Sequence, residues 1–193
     1  MMLATRQADG GGAVADNKLV LHPVDLWAIL QDPPALLDSL RGLGLIGGAF
    51  SYIGELHYRA GARLGELLVF KGELPAGPNA IHFSLLETTD VPMFLGASNS
   101  KPPTCPGCQN PLADWRKQLI EWQAAPQRQA WTCGKCGRRA PVQALIWGDT
   151  GGFARYALDA WNVQPGEATP SPELLAHLAR EMCTPWRHFY YRF

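Results

Sequence analysis

Leucines recur at three- and four-residue spacing in two stretches of the chain, and around those stretches lie runs of β-branched and aromatic residues bounded by proline and glycine. Residues 18–24 (KLVLHPV) read as a short strand closed by Pro23. A polar break at Gln31 and Asp32 follows, and then a helix. Asp32 is placed to cap it, Pro33 and Pro34 suit a first turn whose N–H groups have no intrahelical acceptor, and Leu36, Leu37 and Leu40 share one face. Gly42 and Gly44 end it. Two strand-like runs between residues 50 and 70 flank Ala60 and Gly61, which predicts a hairpin turning there, and residues 80–87 read as a further strand after a loop at 75–79. Downstream, residues 142–147 and 153–163 read as strands on either side of a turn at 148–152. In the second helix Ser171 is the cap, Pro172 takes the first position, Glu173 sits at the positive end of the dipole, and Leu174, Leu175, Leu178 and Met182 form the buried stripe. Residues 186–193 (WRHFYYRF) close the chain as an aromatic strand, mostly core, although an exposed Trp186/Tyr190 face would stack bases or sugars. Both helices place Leu two, three and six positions after a proline and precede a strand, the pattern of an internal pseudo-repeat. Together these periods predict an α+β fold, a mostly antiparallel sheet with two amphipathic helices packed on it.

Composition narrows the class. A chain of 193 residues is one domain, or one domain with a small insert, and buries roughly 70% of its unfolded surface without needing disulfides. Seventeen Lys and Arg balance seventeen Asp and Glu, which excludes a basic whole-molecule nucleic-acid binder and a strongly charged disordered segment. The longest apolar run, residues 43–50, holds eight residues including three glycines, far short of the ~20 that cross a bilayer. Residues 1–17 are small and polar, with neither a basic start nor an apolar stretch, so they read as a flexible tail and the protein as cytoplasmic. The abundance of Ala, Gly, Pro, Arg and Leu fits a GC-rich bacterial source.

Residues 100–140 change character and read as an insert that divides the α+β domain into 18–99 and 141–193. Four of the five cysteines lie there, as Cys105-Pro-Gly-Cys108 and Cys133-Gly-Lys-Cys136, 24 residues apart. A Cys-x2-Cys turn sets both side chains on one side and aims backbone N–H groups at the sulfurs, and two such turns offer four thiolates at tetrahedral corners. The stretch resembles a zinc ribbon with rubredoxin-like knuckles, most closely at Trp131-Thr-Cys-Gly-Lys-Cys-Gly137; Gln109 stands where that pattern usually has Gly, and the linker is somewhat long. The resemblance implies Zn²⁺ bound by Cys105, Cys108, Cys133 and Cys136, structural because four thiolates leave no open position, with iron as the alternative cofactor. Two disulfides would need an oxidising compartment, and a thioredoxin-like centre needs only one pair. Leu112, Trp115, Leu119 and Trp122 fall near helical spacing within the linker. Cys183, the fifth cysteine, reads as a small buried apolar residue.

Other strings carry less. Gly42-Leu-Gly44-Leu-Ile-Gly47 matches a dinucleotide fingerprint but follows a helix instead of opening one, so it reads as helix termination. Asp149-Thr150-Gly151 is one copy of a triplet that aspartic proteases need twice, and reads as a turn. Glu55, His57 and Arg59 alternate along a strand, with His82 and Ser84 on the next, so they project from one sheet face: a solvated surface, or an acid–base site if the strands pair.

The neutral total hides an asymmetry. Residues 101–145 carry seven basic side chains (Lys101, Arg116, Lys117, Arg128, Lys135, Arg138 and Arg139) and two acidic ones, a net of plus five against minus five for the remainder. Four thiolates with Zn²⁺ lower that local balance to about plus three. With Trp115, Trp122 and Trp131 these charges predict a basic, aromatic surface, and hence a non-enzymatic zinc-binding module for a protein partner or a nucleic acid. The rival readings are an enzyme using Glu55, His57, Arg59 and His82 with zinc bracing the fold, and a rubredoxin-like iron electron carrier.

Overall fold

The computed structural model describes residues 17–76, 80–86, 89–97, 99–126 and 130–192, so residues 1–16 of the predicted tail, the 75–79 loop in part, Glu87, Arg128 and Phe193 lie outside the described residues, while Asn17, expected in the tail, is buried at the start of a strand. Its centre is a six-stranded sheet built from β1 (Asn17–Pro23), β2 (Ile46–Tyr52), β3 (Glu55–Ala60), β5 (His82–Leu86), β10 (Ala157–Trp161) and β12 (Trp186–Arg192). The strand order is β12-β1-β10-β5-β3-β2, and every neighbouring pair is antiparallel. With α1 (Pro33–Leu43) and α4 (Pro172–Met182) laid on it, the α+β architecture is the expected one.

Side-chain alternation assigns the two faces. Leu19 and Leu21 of β1, Leu158 and Ala160 of β10, Phe83 of β5, Tyr58 of β3 and Tyr190 of β12 share the face that α1 and α4 cover with Leu36, Leu40, Leu174 and Leu178. Both helix starts form as their sequences dictate. The Asp32 carboxylate accepts from the Ala35 N–H at 2.9 Å, the Ser171 hydroxyl accepts from the Leu174 N–H at 3.2 Å, and prolines fill the first positions. Gly44 closes α1 at φ 84°. A Ser39–His177 hydrogen bond of 2.8 Å ties the two helices together. The strands that follow them, β2 and β12, lie at opposite edges of the sheet.

Four local expectations are corrected. The hairpin turns at Ile53 and Gly54, not at Ala60 and Gly61: Tyr52 pairs with Glu55, and both turn residues have positive φ, 49° and 80°, as a two-residue loop matching the strand twist requires. Chain past Ala60 instead forms a short helix, α2 (Leu64–Leu67), and β4 (Leu68–Phe70), which pairs with β11 (Ala168–Pro170). Residues 142–147 are not a strand but a 3-10 turn (Val142–Ala144) and one bridge from Ile146 to Thr104, because Val142, Leu145 and Trp147 are drawn into a separate core. The predicted 153–163 strand breaks into β9 (Phe153–Ala154) and β10, since Arg155 leaves the ladder to hydrogen-bond Thr89. Cys183 is exposed, not buried: no glycine follows α4, so Cys183 itself takes the left-handed cap at φ 51°.

On the opposite face, β6 (Met93–Phe94) pairs with β9 and covers Val20, Ala157 and Phe189. Beyond that ribbon the Cys-rich segment has its own core, with α3 (Trp115–Ala124) and the β7 (Ala130–Thr132)–β8 (Arg139–Pro141) hairpin. Trp115, Leu119, Trp122 and Trp131 pack there against Trp147 and Phe153, so this core continues into the sheet domain. Among the described residues, no helix is long and apolar enough to cross a membrane.

Candidate metal centre

The two Cys-x2-Cys turns have the same backbone. In the first, the Gln109 N–H donates to the Cys105 carbonyl at 2.8 Å and the Cys105 N–H to the Asn110 carbonyl at 2.9 Å; in the second, Gly137 and Cys133 repeat this with the Cys133 and Arg138 carbonyls at 2.8 and 2.9 Å. The residue after each pair is left-handed, Gln109 at φ 57° and Gly137 at φ 69°. Gln109 thus performs the glycine's conformational role, at a steric cost of about 1–2 kcal/mol for a residue with a Cβ. The Gly107 N–H points at the Cys105 sulfur at 3.4 Å.

These turns bring Cys105, Cys108, Cys133 and Cys136 together, with all four sulfurs within 4.8 Å of one another. Across the gap, Cys105 Sγ is 3.7 Å from Cys136 Sγ, and Cys108 Sγ is 3.6 Å from Cys133 Sγ. A tetrahedron with metal–sulfur bonds of about 2.3 Å has edges of about 3.8 Å, so the donor set fits a four-coordinate ion. No cysteine is paired in a disulfide. The thiols are unevenly poised. N–H groups of Cys108 and Gly107 hold the Cys105 thiol below its usual range, and the Asn110 side chain and N–H bring Cys108 down to about 6. The Arg138 N–H pulls Cys136 the same way, but the Cys108 sulfur, burial and the two remaining sulfurs outweigh it and push Cys136 up to about 11. Four thiolates this close repel, and a cation is what lets all four ionise together.

Cys105 and Cys133 are buried against the tryptophan core, whereas Cys136 is exposed. Trp131, on the strand leading into the second turn, lies 6.0 Å from Trp147, which contacts Phe153 and Phe94 at 5.0 and 4.9 Å. That packing overturns the expected aromatic surface: Trp115, Trp122 and Trp131 are only 1–3% exposed. Trp186 and Tyr190 are closed against the helices in the same way, the Tyr190 hydroxyl donating to the Ala168 carbonyl at 2.9 Å. The basic part of the expectation is placed differently. Lys101, Arg116, Lys117, Lys135, Arg138 and Arg139 are all exposed; Lys135 lies within the second knuckle and Arg138 just after it, and Arg138 lies against Gly107 of the first.

The sheet-face residues come together in part. Glu55, His57 and Arg59 share one face, and Arg59 pairs with His82. The His57 and His82 rings are 4.9 Å apart, packed among Phe50, Tyr52 and Trp161. Burial, reinforced by His82, keeps the His57 imidazole below its usual pKa. Arg59 leans over Phe50 at 4.9 Å and Glu55 is exposed. Gly42 and Gly44 belong to the end of α1, and residues 149–151 form a docking turn in which the Asp149 carbonyl accepts from the Tyr190 N–H at 2.8 Å and the Thr150 carbonyl from the Ser100 hydroxyl at 2.7 Å.

Sequence reading passed over an ion pair on the central strands, Lys18 with Asp159 at 3.1 Å. Its one visible sign is a lone carboxylate in the apolar run ALDAW. No protein-family model, curated protein or solved structure matches this chain. The geometry therefore speaks for itself, and what it supports is a tetracysteine cluster able to hold a metal ion.

Proposed function

We propose that the chain is a non-enzymatic, cytoplasmic binding module whose insert is a zinc ribbon, with one structural Zn²⁺ held by Cys105, Cys108, Cys133 and Cys136. The observation that carries this reading is the closed set of four sulfurs at 3.6–3.7 Å cross-knuckle spacing, backed by a tryptophan core. Bound there, zinc supplies cross-linking of two chain segments and no vacant site for substrate. The partner is an acidic protein surface, met by Lys135, Arg138 and Arg139. Nucleic acid is the weaker fit, because the three tryptophans that base stacking would use are buried. His57 and His82 lie under aromatic rings at 1% and 7% exposure, which supports a structural place for them over an acid–base one.

Elemental analysis and an absorption spectrum of tag-free protein test the metal, with one equivalent of zinc and a colourless solution expected. A red, iron-containing protein overturns the reading in favour of electron transfer. Partner class is tested by capture on the wild-type protein and on a Lys135→Glu/Arg138→Glu variant of equal zinc content. Loss of an acidic protein in the variant is expected, and retention on nucleic acid with a steep salt dependence would redirect the assignment.

A further inference from the structure

A groove crosses the sheet face opposite the helices and runs along the β6–β9 ribbon, which walls one end of it. It consists of two cavities, of about 360 and 260 Å³, that meet at Lys18, Leu86 and Asp159. Glu55, Ser84 and Trp161 line the first arm, which is mixed polar and apolar; Val20, Met93, Phe94, Leu95 and Tyr191 line the second, which is mostly apolar. Volumes of this size suit small molecules.

The floor is unlike the other face of the same strands. Where Leu19, Leu21, Leu158 and Ala160 face the helices, β1 and β10 present Lys18 and Asp159 to the groove, with side chains 13% and 11% exposed. Well-packed apolar residues often stabilise a fold as well as an ion pair this far from water, so the pair invites a role beyond folding. Its geometry is built rather than loose. Lys18 Nζ lies 3.5 Å from the Trp161 ring centroid and 5.4 Å from that of Tyr191, and the Trp161 N–H donates to the Ser84 hydroxyl at 2.8 Å. Burial pushes the Asp159 carboxyl above its usual range, and the Lys18 ammonium beside it offsets only part of that.

We infer that this groove binds a small zwitterion bearing an apolar side chain, namely a free apolar or aromatic α-amino acid. Its ammonium meets the carboxylates of Asp159 and Glu55, its carboxylate meets Lys18, and its side chain fills the arm between Met93, Phe94 and Tyr191. Charge complementarity favours this class: the groove offers an ammonium to a carboxylate and two carboxylates to an ammonium, whereas a simple anion would face a net charge of minus one. The site is separate from the metal centre and independent of the partner proposed above.

The test is titration of the metal-loaded full chain with L-phenylalanine and L-leucine, followed by Trp fluorescence and calorimetry, beside phenylalaninamide and N-acetylphenylalanine. Saturable binding of at least one free amino acid is expected, weakened about tenfold or more when either charged end is blocked. Lys18→Met/Asp159→Leu, which replaces the pair by apolar side chains, is expected to keep its thermal midpoint and lose binding; Glu55→Gln, at an exposed position, is expected to fold normally and bind more weakly. Absence of saturable binding by either amino acid, equal binding of the blocked analogues, or unchanged binding in the double variant overturns the assignment.

Discussion

At the scale of single residues, the buried histidines of the sheet make stability depend on pH. His22 is 1% exposed, with Nδ1 2.9 Å from the Pro23 carbonyl. Burial above all, with Arg187 and His188 adding repulsion, lowers its pKa from 6.5 to about 4. His57 and His188 are shifted the same way, each chiefly by burial. A folded-state pKa below the unfolded value means that the unfolded chain binds the extra proton first. The stability these imidazoles allow is therefore whole above about pH 6.5 and falls as pH drops toward 4. For His22 the loss is about 2 kcal/mol by pH 5. Urea midpoints of wild type and His22→Gln at pH 7 and pH 5 check this: the gap between the two proteins is expected to narrow at pH 5. Because both keep the same four cysteines, that difference isolates the imidazole, and a gap independent of pH would contradict it.

At the scale of elements, the outcome turned on what each segment could find to pair with. Both amphipathic helices were legible from caps, prolines and leucine spacing, because those signals are local and complete within a few turns. The hairpin was not, since its turn is Ile-Gly, and Ile53 holds φ 49° where a β-branched residue is strained. Neither Ala60 nor Gly61 has that role; the Gly61 N–H instead donates to the Leu45 carbonyl at 2.8 Å beside the end of α1. Ile53 is 71% exposed and contributes little to the core. Ile53→Asn, which tolerates the left-handed region, is expected to raise stability by about 1 kcal/mol, whereas Gly54→Ala is expected to lower it. Chemical denaturation of the two variants decides the point, and a destabilised Ile53→Asn would show that the strain argument is wrong. The failed 142–147 strand has the same lesson: its hydrophobic residues were visible, but the tryptophan core claimed them before any neighbouring strand did.

At the scale of the whole molecule, one contact chain joins the tetracysteine cluster to the sheet. Trp131 touches Trp147, Trp147 touches Phe94 and Phe153, and Phe94 lies on the strand whose residues wall the groove. Metal binding by four thiolates is worth on the order of 10–16 kcal/mol in small zinc peptides, comparable with a small domain's whole stability. Chelation, or Cys133→Ser, is expected to expose the tryptophans of the insert and release the metal. Most sheet and helix signal should remain, because the core between the sheet and α1 and α4 does not include the insert. A red-shifted Trp emission with largely unchanged far-ultraviolet dichroism is the expected result; equal metal content in Cys133→Ser and wild type would refute it.

What the amino-acid order determined by itself was whatever rests on short-range rules: the helix caps, the central strand from its apolar run, and the cysteine spacing that shapes each knuckle. Tertiary structure alone decided that the four sulfurs meet, that three tryptophans face inward, that Cys183 faces out, and that Lys18 finds Asp159, 141 positions away. The physical reason is that burial and charge pairing are properties of neighbours in space. A tryptophan beside an arginine reads alike on a surface or at the edge of a core, and only the packing of distant segments separates the two.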